Sequence, residues 1–484
     1  MEKKSVWKRY DARMIERMEA FSGDYRAFLD RSKTERECVA ESVRQATAHG
    51  FADLDEVIAR GGKLKPGDRV YRNWMNKCFM MFIVGSEPLE RGMNILGAHI
   101  DSPRLDVKQN PIYESDGIAY FDTHYYGGIK KYHWLAIPLA LHGVVVTKDG
   151  TTVNIVLGEA EDDPVFFISD LLPHLAREQM SKNAAKVVEG EQLDVIVASR
   201  PDAEEEKEPV KTALLKLLGE HYGIGEEDFL SAELEIVPAG RTREAGFDRS
   251  MILGYGHDDR VCAYPSLAAV CDYEGVPART LCCVLTDKEE IGSVGATGME
   301  SRYFENTVAE LCALTGEYGS LFVRRALERS HMLSSDVSAC YDPTFPGAYE
   351  KKNSAFLGCG LSFNKYTGAG GKSGSNDTNA EFIAEVRRLM DEADVAFQMT
   401  ELGGVDVGGG GTIAYVLAGY GMNVIDSGIP VLSMHAPWEA VSKADLYEAY
   451  SGYCAFLRGA GAERAPDKTA AASGGREVVA VRAK

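Results

Sequence analysis

Apolar side chains recur at helical spacing through the first sixty residues. Met14, Met18 and Phe21, followed by Tyr25, Phe28 and Leu29, fall three or four positions apart, which predicts helices up to about residue 62. A second helical run starts at Ser32 or Lys33 and continues through Val43. From Arg69 the texture changes to short apolar runs of strand length, at residues 79–85 and 93–100. It changes again between about 105 and 240. There residues 155–157 and 195–197 read as strands, 201–209 (PDAEEEKEP) as a solvated acidic loop, and 210–218 as helix. After Gly240 strand and helix alternate: a strand at 251–255, a helix over about 260–271, and a strand at 281–285. Such alternation predicts an α/β sheet covered by helices on both faces. We therefore expect a catalytic α/β domain in two segments, 1–104 and 241–459. Between them lies an inserted β-rich domain, 105–240. The small, polar residues 460–484 have no pattern and are expected to be disordered.

Length and charge narrow the field. A chain of 484 residues predicts two domains, or three. A formal net charge of −20 argues against a nucleic-acid partner and against adhesion to anionic membranes. The charged N-terminus has no signal-peptide core, and no apolar stretch is long enough to span a bilayer. Ten cysteines show no zinc-finger spacing and mostly lie among apolar or small residues. That pattern fits reduced core thiols in a cytoplasmic protein.

The chemistry begins at Glu289 and Glu290, adjacent carboxylates just past the apolar run 281–285, in TDKEEIGSVGATG. Two such charges at the mouth of a buried strand repel each other and need a cation. A metal answers this if one carboxylate binds it and the other serves as a base. Four further segments supply ligand types. His99 and Asp101, in GAHIDSPRLDVK, are two apart on an extended segment and share a face, so Asp101 can hold the second ring nitrogen of His99. Asp258-Asp259, in GYGHDDRVCAYPSL, sits at a strand-to-helix junction, where a helix cap would account for only one of the pair. Asp336 follows a weakly apolar stretch, and His435 ends the apolar run 431–434. Alone, each is as easily a cap, a turn or a satisfied core histidine. Together they are the ligand set of a two-metal hydrolytic centre. Two divalent ions would carry four positive charges against three from Asp258, Glu290 and Asp336, leaving Glu289 free as general base.

These segments resemble, in order and over the chain to about residue 458, the aspartyl aminopeptidase and vacuolar aminopeptidase I family of dinuclear metallopeptidases, its bacterial members above all. The resemblance implies a mixed-sheet catalytic domain with an inserted lid or dimerisation domain. It implies that His99, Asp258, Glu290, Asp336 and His435 are metal ligands, with Asp258 bridging. Glu289 is then the general base and Asp101 the outer partner of His99. It implies two divalent ions, zinc first and manganese or cobalt as alternatives, and peptide substrates with a free N-terminus. It also implies dimers assembling into a tetrahedral dodecamer, in which His174 of the inserted domain reaches a neighbour's site. The run 408–411 with Thr412 could bring backbone N–H groups, those of Gly410 and Gly411 among them, close to substrate. Asp258-Asp259 departs from the family's usual Asp-Asn, and the glycine-rich segment 363–377 departs from the acid-preferring branch. Lys365 or Lys372 could favour acidic substrates. Two rivals remain: a related dinuclear deacylase or carboxypeptidase, and a metal-stabilised shell protein without catalysis.

Overall fold

The computed structural model describes residues 4–316, 319–368 and 370–462. Residues 463–484, most of the expected disordered tail, lie outside the described residues.

Helix Ala12–Asp30 begins where the Asp11 carboxylate accepts the Met14 N–H, and it buries Met18, Tyr25, Phe28 and Leu29. The next helix is Glu35–Ala48, which starts later than the apolar pattern alone predicts. Thr34 is its cap, and a capping box with Glu37 fixes that boundary.

The chain has an α/β fold with mixed sheets. Its centre is a nine-stranded sheet whose inner strands Thr280–Thr286, Met93–His99, His331–Ser335 and Asn423–Gly428 run parallel. Cys78–Ile83 on one side and Leu361–Asn364 on the other pair antiparallel to them. Both faces are covered, and the period of two shows along a single strand. Phe79, Met81 and Ile83 join the core under helices His257–Cys271 and Lys443–Gly459. Cys78, Met80 and Phe82 join the opposite core under helix Tyr303–Thr315.

Register places the polar groups. Thr286 pairs with His99, and Ser334 lies between Gly97 and Asp426. Three strands therefore end at one level, and the residues just past them, Asp287 to Glu290 and Asp336, converge with His99. Ligand sites form at the carboxyl ends of parallel strands.

Residues 104–238 build a separate six-stranded antiparallel sheet, in the order Thr152–Leu157, Leu139–Val146, Ala232–Pro238, Arg104–Ser115, Ile118–Tyr126, Val195–Ala198. It has its own core around Leu105, Phe121, Trp134 and Ile236, packed by helix Pro209–Tyr222. A third sheet of five short strands corrects two expectations. Met251–Gly254 belongs to it rather than to the main sheet, next to Glu439–Ser442. The run expected to reach His435 as a strand stops at Leu432. The chain then turns, with Ser433 and His435 at positive φ, and returns as Glu439–Ser442. The ten cysteines are thiols, all of them buried or half-buried. Among the described residues no helix is long and apolar enough to cross a membrane.

Candidate metal centre

His99 is the last residue of its strand and is buried. Its Nδ1 lies 3.0 Å from the Asp101 carbonyl and 3.2 Å from the Asp101 Oδ1. That leaves Nε2 directed at carboxylates: Asp258 Oδ1 at 3.2 Å, Glu289 Oε2 at 3.8 Å and Asp336 Oδ1 at 4.0 Å. The other oxygen of Asp258 is 3.1 Å from His435 Nε2, which is itself 3.5 Å from Glu290 Oε2. Asp258 thus presents one oxygen to each histidine.

Local structure explains why Asp258 can do this. It lies within helix His257–Cys271 but has non-helical backbone angles, and the helix N-cap is Gly256, whose positive φ turns the chain. Asp258 faces histidine nitrogens with both carboxylate oxygens. Its carboxylate is buried, its carbonyl accepts the Ser102 hydroxyl at 2.6 Å, and its N–H donates to Glu439 Oε2 at 3.0 Å. Asp259 plays a different part: its Oδ2 accepts the His99 backbone N–H at 3.3 Å. Glu289 and Glu290 form a short 3-10 turn directly after Thr280–Thr286, held at both amides by Asp101.

The electrostatics follow from crowding acids at strand ends. Burial, together with Asp258, pushes Glu290 well above the usual carboxylate range. Burial raises Glu289 to about 7, against the opposing pull of His99. Asp336 is raised by burial and by Glu289. Burial opposes the charged form of His435, but its contact with Asp258 outweighs that and carries it up to about 10. Burial opposes ionisation of Asp258 too, yet the two histidines hold it well below its ordinary value.

The donors fit a pair of divalent ions. His99, Asp258 and Asp336 offer one set of atoms within 4.8 Å of one another, Asp258, Glu290 and His435 a second, and His99, Glu289 and Glu290 a third. Imidazole nitrogen with carboxylate oxygen suits zinc, manganese or cobalt. Among the described residues the buried Glu290 Oε1 has no hydrogen-bond partner, which suits a ligand oxygen.

Asp258, Glu289, Glu290, Asp336 and His435 line a cavity of about 370 Å³. Gly410, Gly411, Thr412 and Asn364 line it too. His174 is exposed and lines no part of this cavity. Lys365 and Lys372 are outside it as well, and both pair with Asp377, at 3.6 and 3.1 Å.

The family model for aminopeptidase I zinc metalloprotease (M18) matches residues 28–457. This chain belongs to the M18 aminopeptidases. A probable M18 family aminopeptidase 1 of Clostridium acetobutylicum is 55% identical over 457 residues, 94% of this chain and 98% of that one. The crystal structure of an M18 aminopeptidase from Thermotoga maritima matches with a TM-score of 0.90 at 44% identity, covering 95% and 100% of the two chains. A structure of the S. cerevisiae mApe1 dodecamer shares the fold with a TM-score of 0.73 at 20% identity, covering 91% and 97%. As an M18 member the chain is a metal-dependent aminopeptidase, a hydrolase of peptide bonds.

Sequence reasoning missed three supports of the M18 centre. Glu439 is buried and accepts the N–H of both Asp258 and His435, the latter at 2.7 Å. Tyr126 donates its hydroxyl to Asp101 Oδ2 at 2.7 Å. The Gly128 carbonyl meets His435 Nδ1 at 2.8 Å. Glu439 stands only four residues after His435, so a signal was there. Tyr126 and Gly128 lie in the inserted region, where nothing in the local pattern marks them.

Proposed function

We propose that this aminopeptidase works through two divalent ions, zinc first, held by His99, Asp258, Glu290, Asp336 and His435 with Asp258 shared between them. The observation that carries this is the position of Asp258, one oxygen 3.2 Å from His99 and the other 3.1 Å from His435. When bound, the ions polarise the scissile carbonyl and acidify a water. Glu289 is the general base: it would take the proton of that water and deliver it to the leaving amine, and burial favours its protonated form. Asp101 fixes the ring of His99 by accepting at its Nδ1. The acidic wall of the cavity supports binding of a free α-amine there. Gly410 and Gly411 line the same cavity and would offer backbone close to the substrate.

The segment 105–240 serves in this reading as a lid and dimerisation domain on the catalytic part, 1–104 with 241–459. We further propose a homo-oligomer of dimers, a tetrahedral dodecamer, acting on peptides in the cytoplasm. His174, exposed on the inserted part, would contribute to a neighbouring subunit's site in that assembly. The dodecamer of the yeast structure supports the assembly by analogy of fold.

The test is a panel of aminoacyl-anilides, free and N-blocked, with chelator-stripped protein to which zinc, manganese or cobalt is restored. Metal-dependent cleavage of the free-amine substrates alone is expected. Equal cleavage of blocked substrates would overturn the aminopeptidase reading in favour of a related hydrolase.

A further inference from the structure

Tyr126 is the last residue of strand Ile118–Tyr126, in the six-stranded sheet that the main sheet does not include. It is buried, and its phenol reaches across to Asp101 Oδ2 at 2.7 Å. Asp101 is where four donors converge. Oδ1 faces His99 Nδ1 at 3.2 Å and accepts the Glu289 N–H, and Oδ2 accepts the Glu290 N–H and the Tyr126 hydroxyl. One carboxylate therefore fixes the ring of His99 and the turn that carries Glu289 and Glu290. Tyr126 is the only side chain besides His99 in that set.

The ring of Tyr126 is itself held. The Arg104 guanidinium sits 4.0 Å from its centroid, and Arg104 is in turn paired with Asp106, Glu235 and Glu35 at 2.8, 3.2 and 3.3 Å. The next two residues approach the other half of the site. A Cβ at Gly127 would meet Glu290 at 3.4 Å, and one at Gly128 would meet His435 Nδ1 at 3.3 Å. Gly128 also turns its carbonyl to that Nδ1 at 2.8 Å, so the ring presents Nε2 to Asp258 and Glu290. A single three-residue step touches the supports of both histidines.

We propose that Tyr126 and the Gly127–Gly128 step are the positioning element through which the inserted sheet sets the geometry of the metal-binding side chains. Tyr126 touches no reacting atom in this arrangement. It acts through Asp101 on His99 and the glutamate turn, and Gly128 acts on His435. The inference rests on the ligand assignment above, but metal affinity tests it without any substrate.

The experiment is Tyr126→Phe in the full chain, which removes the hydroxyl and keeps the ring against Arg104. Zinc affinity is read by competition with a chromophoric chelator, thermal unfolding is read on the metal-free protein, and kcat and KM are read on the restored enzyme. Outer partners of ligands typically contribute 10–100-fold to metal affinity or activity. Zinc binding weakened at least tenfold is expected, with a lower kcat, KM within twofold, and metal-free unfolding unchanged. Tyr113→Phe, which loses a Tyr–Asp hydrogen bond to Asp194 elsewhere on the same sheet, should leave zinc affinity unchanged. Zinc affinity within twofold of the parent in Tyr126→Phe would overturn the proposal, as would an equal loss in Tyr113→Phe. Should Tyr126→Phe fail to fold, Gly128→Ala carries the same test at His435, with the same criterion. Weakened zinc binding in a protein that cleaves no peptide would sustain this inference while refuting the aminopeptidase reading.

Discussion

Asp101→Asn isolates the support beneath the metal centre, because it changes no candidate ligand and almost no volume. Asp101 is fully buried. Its two oxygens are met by four donors: His99 Nδ1, two backbone amides and one hydroxyl. An Asn has one oxygen and one NH2. Turned toward His99, the NH2 confronts the ring nitrogen and the Glu289 N–H. Turned the other way, it confronts the Glu290 N–H and Tyr126, whose hydroxyl can rotate to accept. The second orientation is the milder, and it still orphans the Glu290 amide. Making the acceptor neutral costs about 1 kcal/mol for a retained bond, and one orphaned buried amide adds ~1–3 kcal/mol, about 2 kcal/mol or more together. At about 1.4 kcal/mol per tenfold, even the lower figure weakens zinc binding roughly tenfold if the strain falls on the ligands. The assay is a zinc titration against a chromophoric chelator, with turnover measured at saturating zinc. A folded Asp101→Asn protein that binds zinc within twofold of the parent would falsify the argument that this carboxylate orients His99 and the glutamate turn.

Three further outcomes follow from the same geometry. Glu289→Gln should retain zinc and lose about 10²–10⁴-fold in kcat, and normal turnover in that variant rules out Glu289 as the base. Apparent zinc affinity should rise from pH 6 to 8. His435, raised to about 10, and Glu290, raised well above the usual carboxylate range, hold protons in the metal-free protein that a bound ion must displace, so a pH-independent affinity contradicts the cluster. Gly428→Ala should destabilise by about 1–3 kcal/mol or more in denaturant titrations, because its Cβ would lie 1.7 Å from the Asp336 carbonyl and push that residue from its place.

The main sheet was legible because its strands are short, apolar and bounded. The run 281–285 lies within the observed Thr280–Thr286, and 93–100 within one residue of Met93–His99. Candidate ligands at the ends of such runs were legible for the same reason: polar residues just past a buried strand are exposed to a cleft and to little else. The convergence of His99, Asp258, Glu289, Glu290, Asp336 and His435 follows from strand register, which the linear pattern does not encode. His435 shows the limit. An apolar run ending in a histidine reads as a strand end, yet positive φ at Ser433 and His435 turns the chain after Leu432. Periodicity carries no signal for a left-handed turn at residues other than glycine.

The supports that sequence reasoning missed share one physical character. Tyr126 and Gly128 act through one hydrogen bond each and Glu439 through two, and these bonds join different elements of the fold, 181 residues apart in the case of Glu439 and Asp258. A ligand is recognisable by type because only a few side chains bind a metal. A support needs only a donor or acceptor at the right place, and a backbone carbonyl such as that of Gly128 suffices. The two histidines illustrate the difference. Both direct Nε2 at Asp258, but His99 is held by Asp101, two residues away, while His435 is held by a carbonyl 307 residues away in the inserted sheet. Displacing the inserted sheet therefore threatens His435 directly, and His99 only through Tyr126 and Asp101. Weakening that docking should loosen the ion near His435 first.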